Sequence, residues 1–161
     1  MAVILPSVAF WTSVTFARVG DDDKPEVLKF RARFKRLKKS ERIALDHRIA
    51  VSGLLPDTRK MLQEKIDNPE TEAGTRDFLR ARLAAQPTND AEVLNEVLAD
   101  WDLKDHEGGF VAYTPATRAE LEEDLDGLEG CLVKAYLEAT GKPVSVEDVE
   151  KNSEAQSVTT S

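Results

Sequence analysis

The chain has 161 residues, which is enough for one domain with its own core. Its net charge of −8 argues against a general nucleic-acid binder and against an anionic membrane surface as the partner. The single cysteine excludes a disulfide framework and favours a reducing compartment. No apolar run approaches the roughly 20 residues that a membrane span needs, so we expect a cytosolic protein.

Residues 8–36 carry the period-two pattern of two half-buried strands. In the first strand, Phe10, Val14 and Phe16 share one parity. In the second, apolar residues alternate with a basic set formed by Lys29, Arg31, Arg33 and Lys35. A polar turn at residues 20–25 separates the two strands. The pattern predicts an antiparallel hairpin whose apolar face packs on helices, because a lone hairpin is marginal in water.

Three helices are predicted between the hairpin and residue 86. Ser40 is a suitable cap for the first helix, which ends at Gly53. Pro56 begins the second helix, which ends before Pro69. Residues 70–85 are typical of a third helix, although its apolar face is weak.

The clearest helical pattern begins at Asn89. This residue precedes Glu92 by three positions, which is close to a capping box. The apolar residues that follow recur at helical spacing, namely Val93, Leu94, Val97, Leu98 and Trp101. The pattern predicts one continuous helix that ends at Trp101.

The part of the chain beyond Trp101 is predicted to form a turn, a short extended piece and a last helix. Residues 102–109 are polar and end in a glycine pair, and residues 110–114 precede a proline. Thr117 and Glu120 have the spacing of a second capping box, which would open a helix that reaches Gly141. Two glycines, Gly127 and Gly130, predict a kink or a brief break within it.

These elements predict an α+β fold that is predominantly α. An N-terminal β-hairpin (8–36) packs on about five helices (40–141), within a single globular domain of residues 1–141. Residues 142–161 contain no aromatic residue and are rich in Ser, Thr, Glu and Val. This composition predicts a flexible, disordered C-terminal tail.

No motif for catalysis or for cofactor binding stands in the sequence. The phosphate-binding glycine loop and the GxSxG motif are both missing, and the two histidines are far apart. The acidic stretch 100–107 fails the calcium-loop pattern, because Lys104 and Asp105 stand at its fifth and sixth positions. Cys131 lies beside Leu132 on an apolar helix side, which indicates a core residue. We expect no enzyme, no catalytic residue, no metal and no cofactor.

The stretch 29–48 is strongly basic, with nine Lys or Arg residues and two acidic residues. In one interpretation it is the outer face of an edge hairpin, where basic side chains prevent strand-to-strand aggregation. In the other it docks an acidic protein or, less favourably, a nucleic acid. Base stacking has little support because no aromatic residue lies on the basic face of the second strand. The candidate partner-binding residues are Arg31, Arg33, Lys35 and Arg36.

Three aromatic residues also have two interpretations. Trp101, Phe110 and Tyr113 surround the turn that follows the fourth helix. The first interpretation is that they pack around that turn. The alternative is that they are exposed anchors for a partner protein, and we therefore include all three among the candidate partner-binding residues.

An ordered series of motifs runs through residues 93–139. A helix that ends in Trp101 is followed by an acidic glycine turn at 105–109, an extended piece with Tyr113-Thr114, and a Leu-rich helix from Glu120. This series resembles the tail assembly chaperones of siphovirus-type bacteriophages. The first half of the chain agrees loosely from residue 28 onward.

The resemblance implies a specific function. Such proteins have no catalytic residues, are made in the host cell cytoplasm and are absent from the mature virion. They bind the tape measure protein and promote assembly of the tail tube around it. In many of them a programmed frameshift adds an extension that contacts the major tail tube protein. Two other classes stay open: a generic protein-binding adaptor or regulatory protein, and a nucleic-acid-associated factor that uses residues 29–48.

Overall fold

The computed structural model describes residues 8–141, which form a three-stranded antiparallel sheet and six helices. The strands are β1 (Ala9–Val19), β2 (Pro25–Lys35) and β3 (Leu98–Trp101). The helices are α1 (Lys39–Ser52), α2 (Pro56–Asp67), α3 (Ala73–Ala84), α4 (Asp90–Val97), α5 (Pro115–Asp124) and α6 (Leu128–Thr140). The predicted α+β class is confirmed. The predicted tail at 142–161 lies outside the described residues.

The predicted hairpin is confirmed and pairs along its whole length. Its register runs from Ala9 opposite Lys35 to Val19 opposite Pro25. In the turn, the Gly20 amide donates to the Lys24 carbonyl at 2.8 Å. The alternation of the sequence is also confirmed, because the apolar parity of β2 faces the core and the basic parity faces solvent.

The prediction of a helix through Trp101 was wrong, because α4 ends at Val97 and residues 98–101 form β3. This strand pairs with β2 so that Trp101 is opposite Ala32 and Leu98 is opposite Phe34. The register shifts between these pairs, which leaves Ala99 as an extra, bulged residue. The bulge lets Leu98 and Trp101 both face the core although they are three residues apart. The three-residue spacing of Leu98 and Trp101 is therefore also compatible with a helix, but pairing with β2 makes this segment a strand.

The core lies between the inner face of the sheet and the helices α4 and α6. The most completely buried side chains are large and apolar, namely Val14, Phe34, Leu45, Val93, Leu94, Val97, Leu128, Leu132 and Tyr136. Helix α6 runs beside β1, and the Cys131 thiol donates to the Thr15 carbonyl at 3.0 Å. Since this carbonyl belongs to the outer edge of β1, α6 covers part of that edge.

Two helices begin earlier than predicted. Ser40 does not cap α1, which starts at Lys39, and the Lys38 amide instead donates to the Glu41 carboxylate at 2.9 Å. Helix α5 is capped by Thr114, whose hydroxyl accepts the Thr117 amide at 3.0 Å. The proline that follows Thr114 suits a first helical position, because that position needs no amide hydrogen.

The predicted break in the last helix is confirmed. Helix α5 ends at Asp124, and α6 begins after Gly127, which has a φ of 94°. A left-handed backbone of this kind favours glycine, so Gly127 is the residue that separates the two helices. Gly130 lies within α6 and does not interrupt it.

Helices α2 and α3 form a helical hairpin, defined here as residues 56–84, that is attached to the rest of the structure through α1. The His47 ring of α1 lies 4.9 Å from the Phe78 ring of α3, measured between centroids. The guanidinium of Arg82 covers the same Phe78 ring and donates from Nε to His47 Nδ1 at 3.4 Å. The attachment therefore includes a small aromatic and cationic cluster formed by His47, Phe78 and Arg82.

Candidate functional site

The outer side of β2 presents a basic face, which we define as Lys29, Arg31, Arg33 and Lys35. These four side chains alternate with Phe30, Ala32 and Phe34, which are buried. Because successive strand residues point to opposite sides of a sheet, burial of the aromatic parity forces the basic parity outward. Three of the predicted partner-binding residues thus share one exposed surface.

Part of the positive charge on the basic face is already neutralised. The Arg31 guanidinium donates from Nε to the Asp102 carboxylate at 2.8 Å, and the same carboxylate accepts the Arg31 amide. Burial alone would raise the pKa of Asp102, but the hydrogen bonds from Arg31 and the charge of its guanidinium hold that pKa below its ordinary value. Within residues 8–141, Lys29, Arg33 and Lys35 form no ion pair, so they carry the net charge of this face.

One aromatic ring does lie on the basic face, although it comes from β1. Trp11 is opposite Arg33 in the register, and the Arg31 guanidinium lies 5.2 Å from the centre of its ring. The sequence argument considered only β2 and so missed a ring contributed by the neighbouring strand. Its parity, which matches Ser13 and Thr15, was the available signal.

Arg36 does not extend the basic face. It follows the last residue of β2, and its guanidinium lies 5.0 Å from the centre of the Phe10 ring. Phe10 contacts the core and belongs to the inward parity of β1. Arg36 therefore covers one end of the core, and the structure separates it from the other three predicted basic residues.

The three predicted aromatic residues divide between the core and the surface. Trp101 is 4% exposed, and its indole Nε1 donates to the Val111 carbonyl at 2.7 Å. Its ring meets Tyr113 edge to face with centroids 4.9 Å apart. Phe110 is 71% exposed and has the Lys104 ammonium 5.1 Å from its ring centre. Only Phe110 among the three presents its ring to solvent.

Arg118 is the buried charge that sequence reasoning missed. It is 2% exposed and donates from Nε to the Glu129 carboxylate at 2.7 Å. Its other nitrogens donate to the Tyr113 hydroxyl at 2.9 Å and to Asn95 Oδ1 at 2.7 Å. Burial raises the pKa of Tyr113, although the adjacent Arg118 cation acts in the opposite direction. The side chain joins α4, α5 and α6, and no spacing in the sequence marks it.

The predicted turn after Trp101 is organised by Asp105. Its Oδ1 accepts the amides of Glu107 and Gly109, both at 2.9 Å. Gly108 has a φ of 84°, a left-handed conformation that glycine adopts freely. The carboxylate is thus occupied in shaping the turn. Among residues 8–141, no three His, Cys, Asp or Glu side chains are grouped closely enough to hold a metal ion.

A largely apolar depression opens beside β2, and we call it the edge groove. Its volume is about 500 Å³. The lining comes from both hairpin strands, from the segment between β3 and α5, and from the C-terminal end of α5 with the residue after it, namely Phe16, Arg18, Glu26, Val27, Leu28, Leu103, Lys104, Asp105, His106, Val111, Leu121 and Leu125. Apolar side chains form its floor and charged side chains form its rim, which is the usual anatomy of a binding cleft.

The edge groove exists because β3 covers only part of β2. The pairs between these strands span residues 32–34 of β2, and the Asp102 amide then donates to the Arg31 carbonyl at 3.0 Å. Residues 25–30 have β1 on one side, and no strand formed by residues 8–141 pairs with them on the other. Sequence reasoning predicted two strands and no β3, so it could not locate this open edge.

None of the models of protein families, the curated proteins or the solved structures compared with this chain matches it. Among residues 8–141, none of the helices combines the length and the apolar character that crossing a bilayer requires. The basic face and the edge groove, which meet along β2, are the two surfaces from which a function can be argued.

Proposed function

We propose that this chain is a tail assembly chaperone that binds the tape measure protein of a bacteriophage and promotes assembly of the tail tube. In this proposal it acts in the host cell cytoplasm, is absent from the mature virion and has no enzymatic activity. A longer, frameshifted form would add a contact to the major tail tube protein. The sequence resemblance over residues 93–139 supplies the identity of the partner.

The structural observation that carries the proposal is the edge groove. A tape measure protein has long apolar stretches, and a chaperone keeps them soluble by covering apolar surface with its own. The floor of the groove offers Leu28, Leu121 and Leu125 to such a partner. The net charge of −8 would keep the complex in solution while the groove is occupied.

The test is co-expression with a fragment of the longest helical tail protein from the same gene cluster. The soluble fraction and co-elution in size exclusion are measured. We expect the fragment to precipitate alone and to become soluble and co-elute in the presence of this chain. A fragment that precipitates while the chain elutes alone would contradict the proposal.

A matched pair of variants locates the binding surface in the same assay. Val27→Asp places a charge at the open edge of β2, where this residue lines the edge groove and is 51% exposed, so the fold should tolerate it. Val8→Asp makes the same change at a residue that is 79% exposed and does not line the groove. We expect Val27→Asp to reduce co-elution strongly and Val8→Asp to leave it unchanged.

A second candidate function is favoured by one observation, the Trp11 ring on the basic face. Aromatic rings among cations are typical of surfaces that bind single-stranded nucleic acid. This function predicts that affinity for a single-stranded oligonucleotide falls steeply with salt, and that Arg33→Glu reduces this dependence. Binding that is undetectable at low salt would exclude it and leave the chaperone or a general adaptor protein as the explanation.

A further inference from the structure

We propose that the edge groove binds an extended segment of a client protein as an added strand along the open half of β2. In this arrangement, apolar side chains of the segment point into the groove and acidic side chains point outward. The inference rests on the proposed function only in requiring a protein client. It adds the backbone geometry and the side-chain pattern of the bound segment.

The open half of β2 has backbone groups ready for pairing. The amide and carbonyl of Arg31 point toward β3, since both bond to Asp102. In an antiparallel strand, residues two positions apart point their backbone groups to the same side. The amides and carbonyls of Lys29 and Val27 therefore point to the open side. Pro25 has no amide hydrogen, so it marks the end of the usable edge.

The inner side of an added strand would meet the apolar floor of the groove. Side chains directly opposite each other in paired strands lie on the same face of the sheet. A segment residue opposite Leu28 therefore points inward, toward Leu121 of α5 and toward Leu125, which follows this helix. A valine, leucine or isoleucine at this position would be shielded from water between the sheet and the helix.

The outer side of an added strand would meet uncompensated positive charge. Residues opposite Lys29 point to the outer surface, where a second depression of about 450 Å³ is lined by Lys29, Arg31 and Lys104. Arg31 is paired with Asp102, whereas Lys29 and Lys104 form no ion pair within residues 8–141. Acidic residues at the outward positions would complement these two ammonium groups.

An extended segment fits this edge better than a helix. A helix satisfies its own backbone groups internally, so it would leave the edge amides of Val27 and Lys29 without protein partners. A strand satisfies these groups and continues the pairing that β3 begins at residue 34. Basic side chains on an open edge prevent aggregation, because they repel the same edge of other copies of this chain. The same side chains attract an acidic segment.

The first test uses the full chain and a ten-residue peptide in which valine alternates with glutamate. Amide hydrogen exchange is followed by NMR with and without saturating peptide. We expect the amides of Val27 and Lys29 to exchange at least about tenfold more slowly in the complex, because pairing protects them from water. A control peptide with five valines followed by five glutamates has the same composition and should give no protection.

The peptide backbone supplies a control that leaves the protein unchanged. In an added strand, only the amides of one parity face β2. N-methylation at that parity should therefore abolish binding, and N-methylation at the other parity should retain it. Equal effects of the two methylations, or equal binding of the block peptide, would overturn strand addition.

A pair of protein variants separates the edge amide from the charge. Lys29→Pro removes the amide hydrogen on the open side and leaves the bonds to β1 intact. Lys29→Ala also loses the charged side chain but keeps the amide hydrogen. We expect the peptide to bind roughly tenfold more weakly to Lys29→Pro than to Lys29→Ala, which corresponds to one or two lost hydrogen bonds. Equal affinities for two folded variants would contradict the inference, and the methylated peptides decide the matter if Lys29→Pro does not fold.

The outcomes distinguish this inference from the proposed function. A tape measure fragment that co-elutes with the chain, together with peptides that never protect Val27 or Lys29, would leave the function standing and overturn strand addition. Protection by the alternating peptide, together with a fragment that always precipitates alone, would establish the strand site and overturn the tape measure partner.

Discussion

Two regions of the molecule differ sharply in how many buried apolar side chains stabilise them. One is the sheet together with α4 and α6, and the other is the helical hairpin. The sheet and these two helices form one continuous core, in which Phe34, Leu94 and Leu132 are fully buried. The helical hairpin contributes two buried apolar side chains, Ile66 and Leu79, and neither belongs to that core. Its contact with α1 includes the cluster of His47, Phe78 and Arg82.

This difference indicates where stability and adaptability lie. Side chains in a shared core act together, so removal of one affects the whole cooperative unit. An element with few buried apolar contacts can open on its own at lower free energy. We therefore expect the helical hairpin to unfold locally, while the sheet and the edge groove stay formed.

The largest effect is expected at Arg118. Arg118→Leu leaves the Glu129 carboxylate buried without its cation, which should lower the free energy of unfolding by about 3 to 5 kcal/mol. Urea unfolding followed by circular dichroism measures this loss. The double variant Arg118→Leu/Glu129→Leu should recover much of it, because it removes the uncompensated charge. A double variant that is less stable than Arg118→Leu would contradict this explanation.

A somewhat smaller effect is expected at Leu132, which is fully buried between α6 and the sheet. Leu132→Ala should lower the free energy of unfolding by about 2 to 4 kcal/mol, through lost apolar burial and a residual cavity. The exposed Met61 of the helical hairpin provides a control, since Met61→Ala should change it by less than about 0.5 kcal/mol. Similar losses of unfolding free energy for Leu132→Ala and Met61→Ala would contradict the proposed difference in stability between the two regions.

A local effect is expected at Leu79. Leu79→Ala should cost about 2 kcal/mol, the low end for a buried leucine, and the cost should be confined to the helical hairpin because this region opens separately. Amide hydrogen exchange should become faster in α2 and α3 and stay unchanged in β2 and α6. Faster exchange across the whole chain would show that the helical hairpin belongs to the main cooperative unit.

The smallest effect is expected at Asp102, and it depends on pH. Its folded-state pKa is lowered, so its contribution to stability is present above the unfolded-state pKa and is lost as pH falls through the folded-state value. The Asp102→Asn variant should therefore lose about 1 kcal/mol or less at neutral pH and almost nothing in strong acid. Thermal melts at neutral and acidic pH measure the difference. An equal loss at both pH values would contradict the assignment to charge.

Local signals in the sequence predicted the hairpin, the basic face and most of the helices. Alternation of apolar and polar residues in 8–36 follows from the geometry of a single strand, so it can be recognised without knowing which segments pack against that strand. Gly127 likewise marked the break before α6, because its left-handed backbone is a local requirement. Three of the four predicted basic residues share one surface for the same reason.

Elements that depend on distant partners were missed or misplaced. Residues 98–101 have helical spacing, yet backbone pairing with β2 and the bulge at Ala99 make them a strand. Trp101 was a candidate anchor, and the same pairing buries it. Arg118 meets Glu129 and Asn95 through the packing of three helices, which no periodicity encodes.

The sequence by itself determined which residues face inward along β1 and β2 and where most helices begin and end, because these choices follow from the side-chain period and from caps within a few residues. Only the tertiary structure decided that β3 stops short of Arg31 and leaves Val27 and Lys29 open beside the edge groove. That outcome depends on how many residues of β2 and β3 pair before the Asp102 carboxylate, instead of a backbone carbonyl, accepts the Arg31 amide. Arg31 and Asp102 are 71 residues apart, so the spacing of residues in the sequence does not predict where the pairing ends.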